Sequence, residues 1–134
     1  MAQFIARLEL IHECRLLGGC KTGDAKLTKG YKLPAAYILH TVGPVWNGGN
    51  HREAELLASC YRRCWEIAEE HNFESIAYPC ISTGIYGYPQ ELAAQIAVNV
   101  TREKLEGVKT SLSKVIFCCY GKGDYDIYQS LLAE

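Results

Sequence analysis

The sequence has no long uncharged apolar run and almost no excess of charge of either sign. No apolar stretch reaches the roughly 20 residues that cross a bilayer, so we expect no membrane segment. The first twenty positions hold several charged residues, which is atypical of a secretory signal peptide; these are Arg7, Glu9, Glu13 and Arg15. A formal net charge of −1 with 49% apolar residues disfavours both intrinsic disorder and a basic nucleic-acid surface.

Paired-cysteine and zinc-binding patterns are missing, although the chain holds seven cysteines. There is no C-x-x-C pair and no H-x-x-x-H helix, so Cys60 with Cys64, and Cys118 with Cys119, favour core packing over zinc binding. We therefore expect no metal and no cofactor. An odd number of cysteines without a secretory signal indicates a reducing compartment, and we expect a cytoplasmic protein.

The 134 residues are long enough for one domain, which we assign to residues 1–134. No internal repeat or linker interrupts them. Strand-like and helix-like segments alternate, which predicts a three-layer α/β/α sandwich with a mixed, mostly parallel sheet. The expected elements are a helix at Phe4–Leu17, a half-exposed strand at Ala25–Leu33, a buried strand at Tyr37–Val42, a helix near Arg52–Glu70, a strand at Ser75–Ile81, a helix from Pro89, a buried strand at Lys114–Tyr120 and a last helix carrying Ile127, Tyr128, Leu131 and Leu132.

The two strands around Pro34 lie too close in sequence for a crossover helix, so they predict an antiparallel hairpin. The helix from Pro89 should bury one stripe. That stripe is Leu92, Ala93, Ile96, Ala97 and Val100.

The segment Ser82–Tyr88 is a glycine-bearing loop between a strand and a helix. Gly84 and Gly87 permit close backbone approach, so several N–H groups can converge at a helix N-terminus and bind an anion. An ordinary tight turn is the alternative interpretation. The loop is not a P-loop, because no Gly-Lys-Ser/Thr follows, and it lacks the G-x-G-x-x-G spacing of dinucleotide sites.

Four motifs, in the same order along the chain, closely resemble those of the macrodomain family. The most similar branch is that of the hydrolase-type macrodomains, which remove acyl groups or ADP-ribose from ADP-ribose derivatives. The motifs are Thr22-Gly23-Asp24-Ala25-Lys26-Leu27-Thr28, Leu33-Pro34-Ala35, His40-Thr41-Val42-Gly43-Pro44-Val45-Trp46 and Pro79-Cys80-Ile81-Ser82-Thr83-Gly84-Ile85-Tyr86-Gly87-Tyr88-Pro89. The resemblance implies that the chain binds ADP-ribose or a derivative. By the same resemblance the diphosphate and distal ribose would meet Ser82, Thr83, Gly84, Ile85, Tyr86 and Gly87, and Tyr120 would lie against the adenine.

Family members of this type normally carry two strands, an Asn-containing loop and a glycine run before the first helix, and this sequence lacks them. The resemblance implies hydrolysis of O-acetyl-ADP-ribose or of ADP-ribosyl esters. Because the family's usual catalytic segment is missing, no catalytic residue can be assigned. A non-catalytic interaction module and a fragment that needs its missing segment are the alternatives. Without one family strand, Tyr37–Val42 and Ser75–Ile81 would either pair directly or leave a groove that another chain fills, and a homodimer through exposed sheet surface is expected.

Other residues permit weaker functional hypotheses. Cys80 and His40 could form a nucleophilic pair, although a cysteine in an apolar strand is more often a small buried hydrophobe. Asp24 fits ordinary turn chemistry. A cluster of lysines favours a solvated hairpin face over an RNA site; these are Lys21, Lys26, Lys29 and Lys32. Trp46 and Trp65 are expected to anchor a loop or the core.

Overall fold

The computed structural model of the protein describes residues 20–29, 37–84, 86–107, 110–119 and 121–133. Several predicted features lie outside these residues. They are the helix Phe4–Leu17, the turn at Pro34 and the two site residues Ile85 and Tyr120.

The described part of the chain contains four strands and three helices. In chain order they are β1 (Ala25–Lys29), β2 (Tyr37–Thr41), α1 (Glu53–Glu70), β3 (Ser75–Tyr78), α2 (Gln90–Glu106), β4 (Lys114–Phe117) and α3 (Lys122–Leu132). Among these helices, none combines the length and the apolar character needed to cross a membrane.

The predicted antiparallel hairpin is confirmed by the pairing of β1 with β2. Ala25 lies opposite Thr41 and Lys29 lies opposite Tyr37. β1 turns Ala25 and Leu27 toward the hydrophobic core, and Thr28 is buried on the opposite face, where its Oγ1 contacts His40 Nε2.

A second, parallel pair joins β3 to β4, with Ser75 opposite Lys114 and Tyr78 opposite Phe117. In the part that the structure describes, β1 with β2 and β3 with β4 form two separate two-stranded sheets. One antiparallel pair and one parallel pair, with a further parallel bridge between Thr22 and Val42, make the pairing of the described residues mixed, as predicted.

The core lies where the helices meet β3 and β4. Over four turns α1 buries one stripe, as its helical spacing predicts; the stripe includes Leu57, Cys60, Tyr61, Cys64, Trp65 and Ala68. Aromatic rings continue from it across the sheet. Tyr61 meets Tyr78 edge to face at 4.9 Å, Tyr78 stacks on Phe117 at 6.0 Å, and Phe117 stacks on Tyr128 of α3 at 5.0 Å.

Two predictions about α2 are wrong. Pro89 caps α2 with an extended ψ of 127° and the helix begins at Gln90, because the proline carbonyl accepts the N–H of Ala93. Leu92 is 46% exposed, since the stripe of α2 turns further round the helix. That stripe is Ala93, Ala94, Ala97, Val98, Val100 and Thr101.

The strand β4 is not of the buried kind that was predicted. It alternates, with Lys114 and Ile116 exposed and Val115 and Phe117 half-buried. Only the second pair faces the helices, because successive strand residues point to opposite faces. The apolar residues of the segment Lys114–Tyr120 thus indicate a preference for β-structure rather than a strand buried on both faces.

Candidate functional site

The loop 82–88 connects the carboxyl end of β3 to the start of α2, as the sequence predicts. Two backbone hydrogen bonds fold it into a compact turn: the Tyr88 N–H donates to the Ser82 carbonyl at 2.9 Å, and the Gly87 N–H to the Gly84 carbonyl at 3.0 Å. Gly87 adopts a φ of +73°, which the absence of a side chain makes easy. Ligands of open α/β sheets usually bind at this end of the strands.

Three N–H groups of this loop, those of Thr83, Gly84 and Tyr86, donate to no group within the described residues. Gly84 and Tyr86 are exposed and Thr83 is half-buried, so a ligand can reach them. Backbone N–H groups that lie close together near a helix N-terminus attract anions. These N–H groups are therefore available to an anion.

Ser82 has an unusual conformation and an unusual environment. Its φ of +67° is in the left-handed region, which a serine seldom occupies. Its Oγ is buried and has no hydrogen-bond partner in the described structure. A buried hydroxyl without a partner is costly, and positions that retain one are often functional.

The glycine after β2, Gly43, permits the close packing of Ser82. A Cβ at position 43 would lie 2.0 Å from Ser82 Oγ and 2.7 Å from Ile81 Cγ2, well inside van der Waals contact. The end of β2 and the start of the loop therefore touch only because residue 43 has no side chain.

A second loop, residues 43–50, supports the 82–88 loop from the side. The Trp46 N–H donates to the Tyr86 carbonyl at 2.9 Å, and the Trp46 ring packs on the Tyr88 ring at a centroid distance of 4.8 Å. The predicted role of Trp46 as a loop anchor is confirmed by these contacts.

The carboxylate of Glu53 fixes the shape of this second loop. Its Oε2 accepts the N–H groups of Asn47 and Gly49, each at 2.9 Å, and its Oε1 accepts the N–H of His51. Only 1% of the residue is exposed. Burial by itself would raise the pKa of Glu53, but the backbone N–H donors outweigh it and lower that pKa to about 2.

A groove of about 420 Å³ opens beside the 82–88 loop, between β2 and β3. In the described part of the chain these two strands do not pair with each other, so of the two predicted arrangements the structure has the groove. Gly43 and Ser82, which approach each other closely, both line it. The lining residues are Leu39, His40, Thr41, Gly43, Cys64, Ile76, Ala77, Tyr78, Pro79, Ile81, Ser82 and Tyr86.

The structure gives the alternative chemical candidates other partners. His40 Nε2 lies 2.7 Å from Thr28 Oγ1, and the Cys80 thiol donates to the Cys118 carbonyl at 3.6 Å. Asp24 forms an ion pair with Arg63 at 3.1 Å, which lowers the pKa of Asp24 together with the N–H of Ala25. Among the described residues, no group of three or more His, Cys, Asp or Glu side chains could hold a metal ion.

Sequence reasoning named Ser82 and Tyr86, and both line the groove. It missed Gly43 and Glu53 as parts of the site. A glycine directly after a strand was a signal for close approach. An acidic residue at the start of a helix, after the glycine-rich loop 47–50, was a signal for an N-terminal capping role.

The chain matches known proteins over most of its length. The Macro domain family matches residues 6–97. A Macro domain-containing protein of Chlorobaculum tepidum, CT2219, is 59% identical over 125 residues, which cover 93% of this chain and 72% of that protein. The human ADP-ribose glycohydrolase MACROD2 is 47% identical over 128 residues, which cover 93% of this chain but only 30% of MACROD2.

Solved structures show the same fold. The Trypanosoma brucei macrodomain in complex with ADP-ribose superimposes with a TM-score of 0.89 at 39% identity, covering 98% of this chain and 54% of that one. The Oceanobacillus iheyensis macrodomain with ADP gives a TM-score of 0.82 at 40% identity, covering 94% and 67%. This fold, the family match and the 82–88 loop agree, and the chain belongs to the macro domain family.

Proposed function

We propose that the protein binds ADP-ribose or an ADP-ribose derivative and holds the diphosphate on the 82–88 loop. The observation that carries this proposal is that three N–H groups of the loop before α2, those of Thr83, Gly84 and Tyr86, donate to no group among the described residues. A diphosphate supplies the negative charge and the acceptor oxygens that such a set requires. The similar Trypanosoma brucei macrodomain in complex with ADP-ribose supports the choice of ligand.

The remaining contacts follow from the resemblance and the groove. Ser82, Thr83, Gly84, Ile85, Tyr86 and Gly87 would surround the diphosphate and the distal ribose, and Tyr120 would lie against the adenine. Tyr86 is 41% exposed beside the groove, so its ring is available to pack on a ribose. The buried Oγ of Ser82 would find in the ligand the partner it lacks in the described chain.

Calorimetric titration of ADP-ribose, with AMP as the control ligand, tests this proposal. Binding that AMP does not reproduce is the expected result, because AMP has no diphosphate. The absence of heat at millimolar ADP-ribose would contradict the proposal.

The variant Gly84→Glu locates the site. A Cβ at Gly84 meets nothing within 4 Å, so the fold should tolerate the change, while the new carboxylate repels a diphosphate. We expect the affinity to fall at least about tenfold, or ~1.4 kcal/mol. Gly107→Glu, at the far end of α2, is the matched control, since its Cβ meets only ordinary contacts at 3.5 Å and beyond. Unchanged affinity in Gly84→Glu would show that the loop is not the site.

We propose hydrolysis of O-acetyl-ADP-ribose or of an ADP-ribosyl ester as the reaction to test. The name of the similar MACROD2, an ADP-ribose glycohydrolase, supports this class of chemistry. The loop would contribute by orienting the substrate and stabilising diphosphate charge. Release of acetate above the Gly84→Glu background would establish turnover, whereas tight binding without release would establish a non-catalytic binding module.

We also propose that two copies associate through the exposed surface around the groove. Ala77 lines the groove and is exposed on β3, and Tyr37, at the start of β2, is 47% exposed. Strands with an edge available for pairing are prone to associate. Light scattering after size exclusion should give a dimer mass that Ala77→Lys reduces to the monomer mass. A monomer at every concentration would contradict this proposal.

A further inference from the structure

We propose that Cys80 and Cys119 form a reversible disulfide at the root of the 82–88 loop. This inference does not depend on the ligand of the loop. It concerns two thiols that the proposed binding function leaves unused.

The strand register brings the two cysteines together. Tyr78 lies opposite Phe117 in the parallel pair, and the Cys118 N–H donates to the Tyr78 carbonyl at 2.7 Å, which completes the last paired position of the two strands. Cys80 and Cys119 each lie two residues beyond this last pair, and their thiols are within hydrogen-bonding reach of each other. Neighbouring strands are about 4.8 Å apart, within the range of about 4.4–6.8 Å that a disulfide spans between Cα atoms.

The side-chain contacts agree with this placement. Cys80 Sγ is 3.6 Å from the carbonyl oxygen of Cys118, the residue before Cys119. Cys119 and the carboxylate of Asp124, in the first turn of α3, both interact with the Cys80 thiol. All six described cysteines are free thiols.

Accessibility distinguishes this pair from the other adjacent cysteines. Cys80 and Cys119 are half-buried, so a small oxidant can reach them, whereas Cys60 and Cys64 are buried on α1. Cys60 and Cys64 also lie on consecutive turns of one helix rather than opposite each other on two strands. The exposed Cys118 is next to Cys119 in sequence, but its side chain points to the opposite face of the strand.

The electrostatics set the speed of the reaction. Burial, followed by the charge of Asp124 and the nearby Cys119, raises the pKa of Cys80 to about 12. Burial also raises the pKa of Cys119. Because the thiolate is the reactive form, both thiols should react slowly with oxidants at neutral pH.

The oxidant that balances the step is a hydroperoxide. Hydrogen peroxide converts the first thiol to a sulfenic acid and releases water. The sulfur of the second cysteine then attacks the sulfenic sulfur, so that an S–S bond forms, the S–O bond breaks, and the hydroxide leaves as water with the second thiol proton. In total, two thiols and one peroxide give one disulfide and two waters.

Peptide mapping of the peroxide-treated, full-length chain tests this inference. After alkylation of the remaining thiols, we expect one cross-linked peptide pair joining Cys80 to Cys119, about 2 Da lighter than the two reduced peptides and lost on treatment with dithiothreitol. Cys118→Ser, the matched control, should keep this cross-link, and Cys119→Ser should abolish it. A cross-link through Cys118, or unlinked Cys80 and Cys119 once Cys20 and Cys118 are oxidised, would overturn the proposal.

Thermal melting gives an independent readout. The disulfide closes a long loop that contains all of α2, so the oxidised wild-type protein should melt at a higher temperature than the reduced one. Cys119→Ser should show no such difference. Equal melting temperatures in a wild-type sample shown to carry the cross-link would mean that the bond strains the fold, and would exclude a role as a reversible stabilising switch.

Discussion

Replacing Gly43 by alanine should destabilise the protein at the contact between the end of β2 and the 82–88 loop. The added Cβ would lie 2.0 Å from Ser82 Oγ and 2.7 Å from Ile81 Cγ2, and real Cβ atoms do not approach other atoms so closely. The φ of Gly43 is not in the left-handed region, so alanine is compatible with the backbone there. Any loss of stability therefore reports the steric contact.

The size of the effect follows from the atoms that must move. Overpacking a closely packed site typically costs about 1–3 kcal/mol. We expect about 2–3 kcal/mol here, because rotating the serine hydroxyl away leaves the Ile81 methyl group in conflict. With an unfolding entropy of about 2.1 cal/mol/K per residue, a chain of 134 residues should melt roughly 7–10 °C lower.

Thermal and urea unfolding, followed by circular dichroism, measure this effect. Gly84→Ala is the matched control, since its Cβ meets nothing within 4 Å. Ser82→Ala should relieve part of the conflict, so the double variant Gly43→Ala with Ser82→Ala should be more stable than additivity predicts by at least about 1 kcal/mol. A Gly43→Ala melting temperature within about 2 °C of the wild type, or strict additivity in the double variant, would refute the steric explanation.

Two further predictions concern stability. The pKa of Glu53 is about 2 in the folded protein, below its ordinary value of 4.5, so the stabilisation it supplies is complete above pH 4.5 and is lost as the pH falls toward 2. In acid titrations of stability, Glu53→Gln should flatten this dependence and Glu55→Gln, at an exposed position, should not; equal curves for both would contradict the assignment. Leu57→Ala should cost about 2–5 kcal/mol in urea unfolding, because Leu57 is fully buried. Leu92→Ala, at a position 46% exposed, should lower the free energy of unfolding by no more than about 0.5 kcal/mol. Similar losses of unfolding free energy in the two variants would show that Leu57 on α1 does not belong to the core.

Local patterns in the sequence predicted the elements well where one interaction dominates. The helix α1 follows from the spacing of its buried stripe, which agrees with the structure from Leu57 to Ala68. The β1–β2 hairpin follows from a connection too short for a crossover. The position of the 82–88 loop between β3 and α2 follows from its two glycines and from Pro89.

Features that depend on contacts between distant segments could not be predicted in the same way. Nothing near Leu92 indicates that α2 turns this residue toward solvent, because the choice of face is made by packing against α1 and α3. The approach of Gly43 to Ser82 joins residues 39 positions apart, and the sequence shows only that each can adopt a turn. Register and tertiary contact, rather than propensity, decide such details.

Glu53 has a consequence for where a charged ligand can bind. The N–H groups of Asn47, Gly49 and His51 form a receptor for a carboxylate, and the chain fills it with a side chain of its own. Because the Glu53 carboxylate belongs to the same chain, it is present at a high effective concentration and loses no translational entropy on binding. A free anion therefore competes with it poorly. The N–H groups of the loop before α1 are thereby already bound, whereas those of Thr83, Gly84 and Tyr86 donate to no group among the described residues.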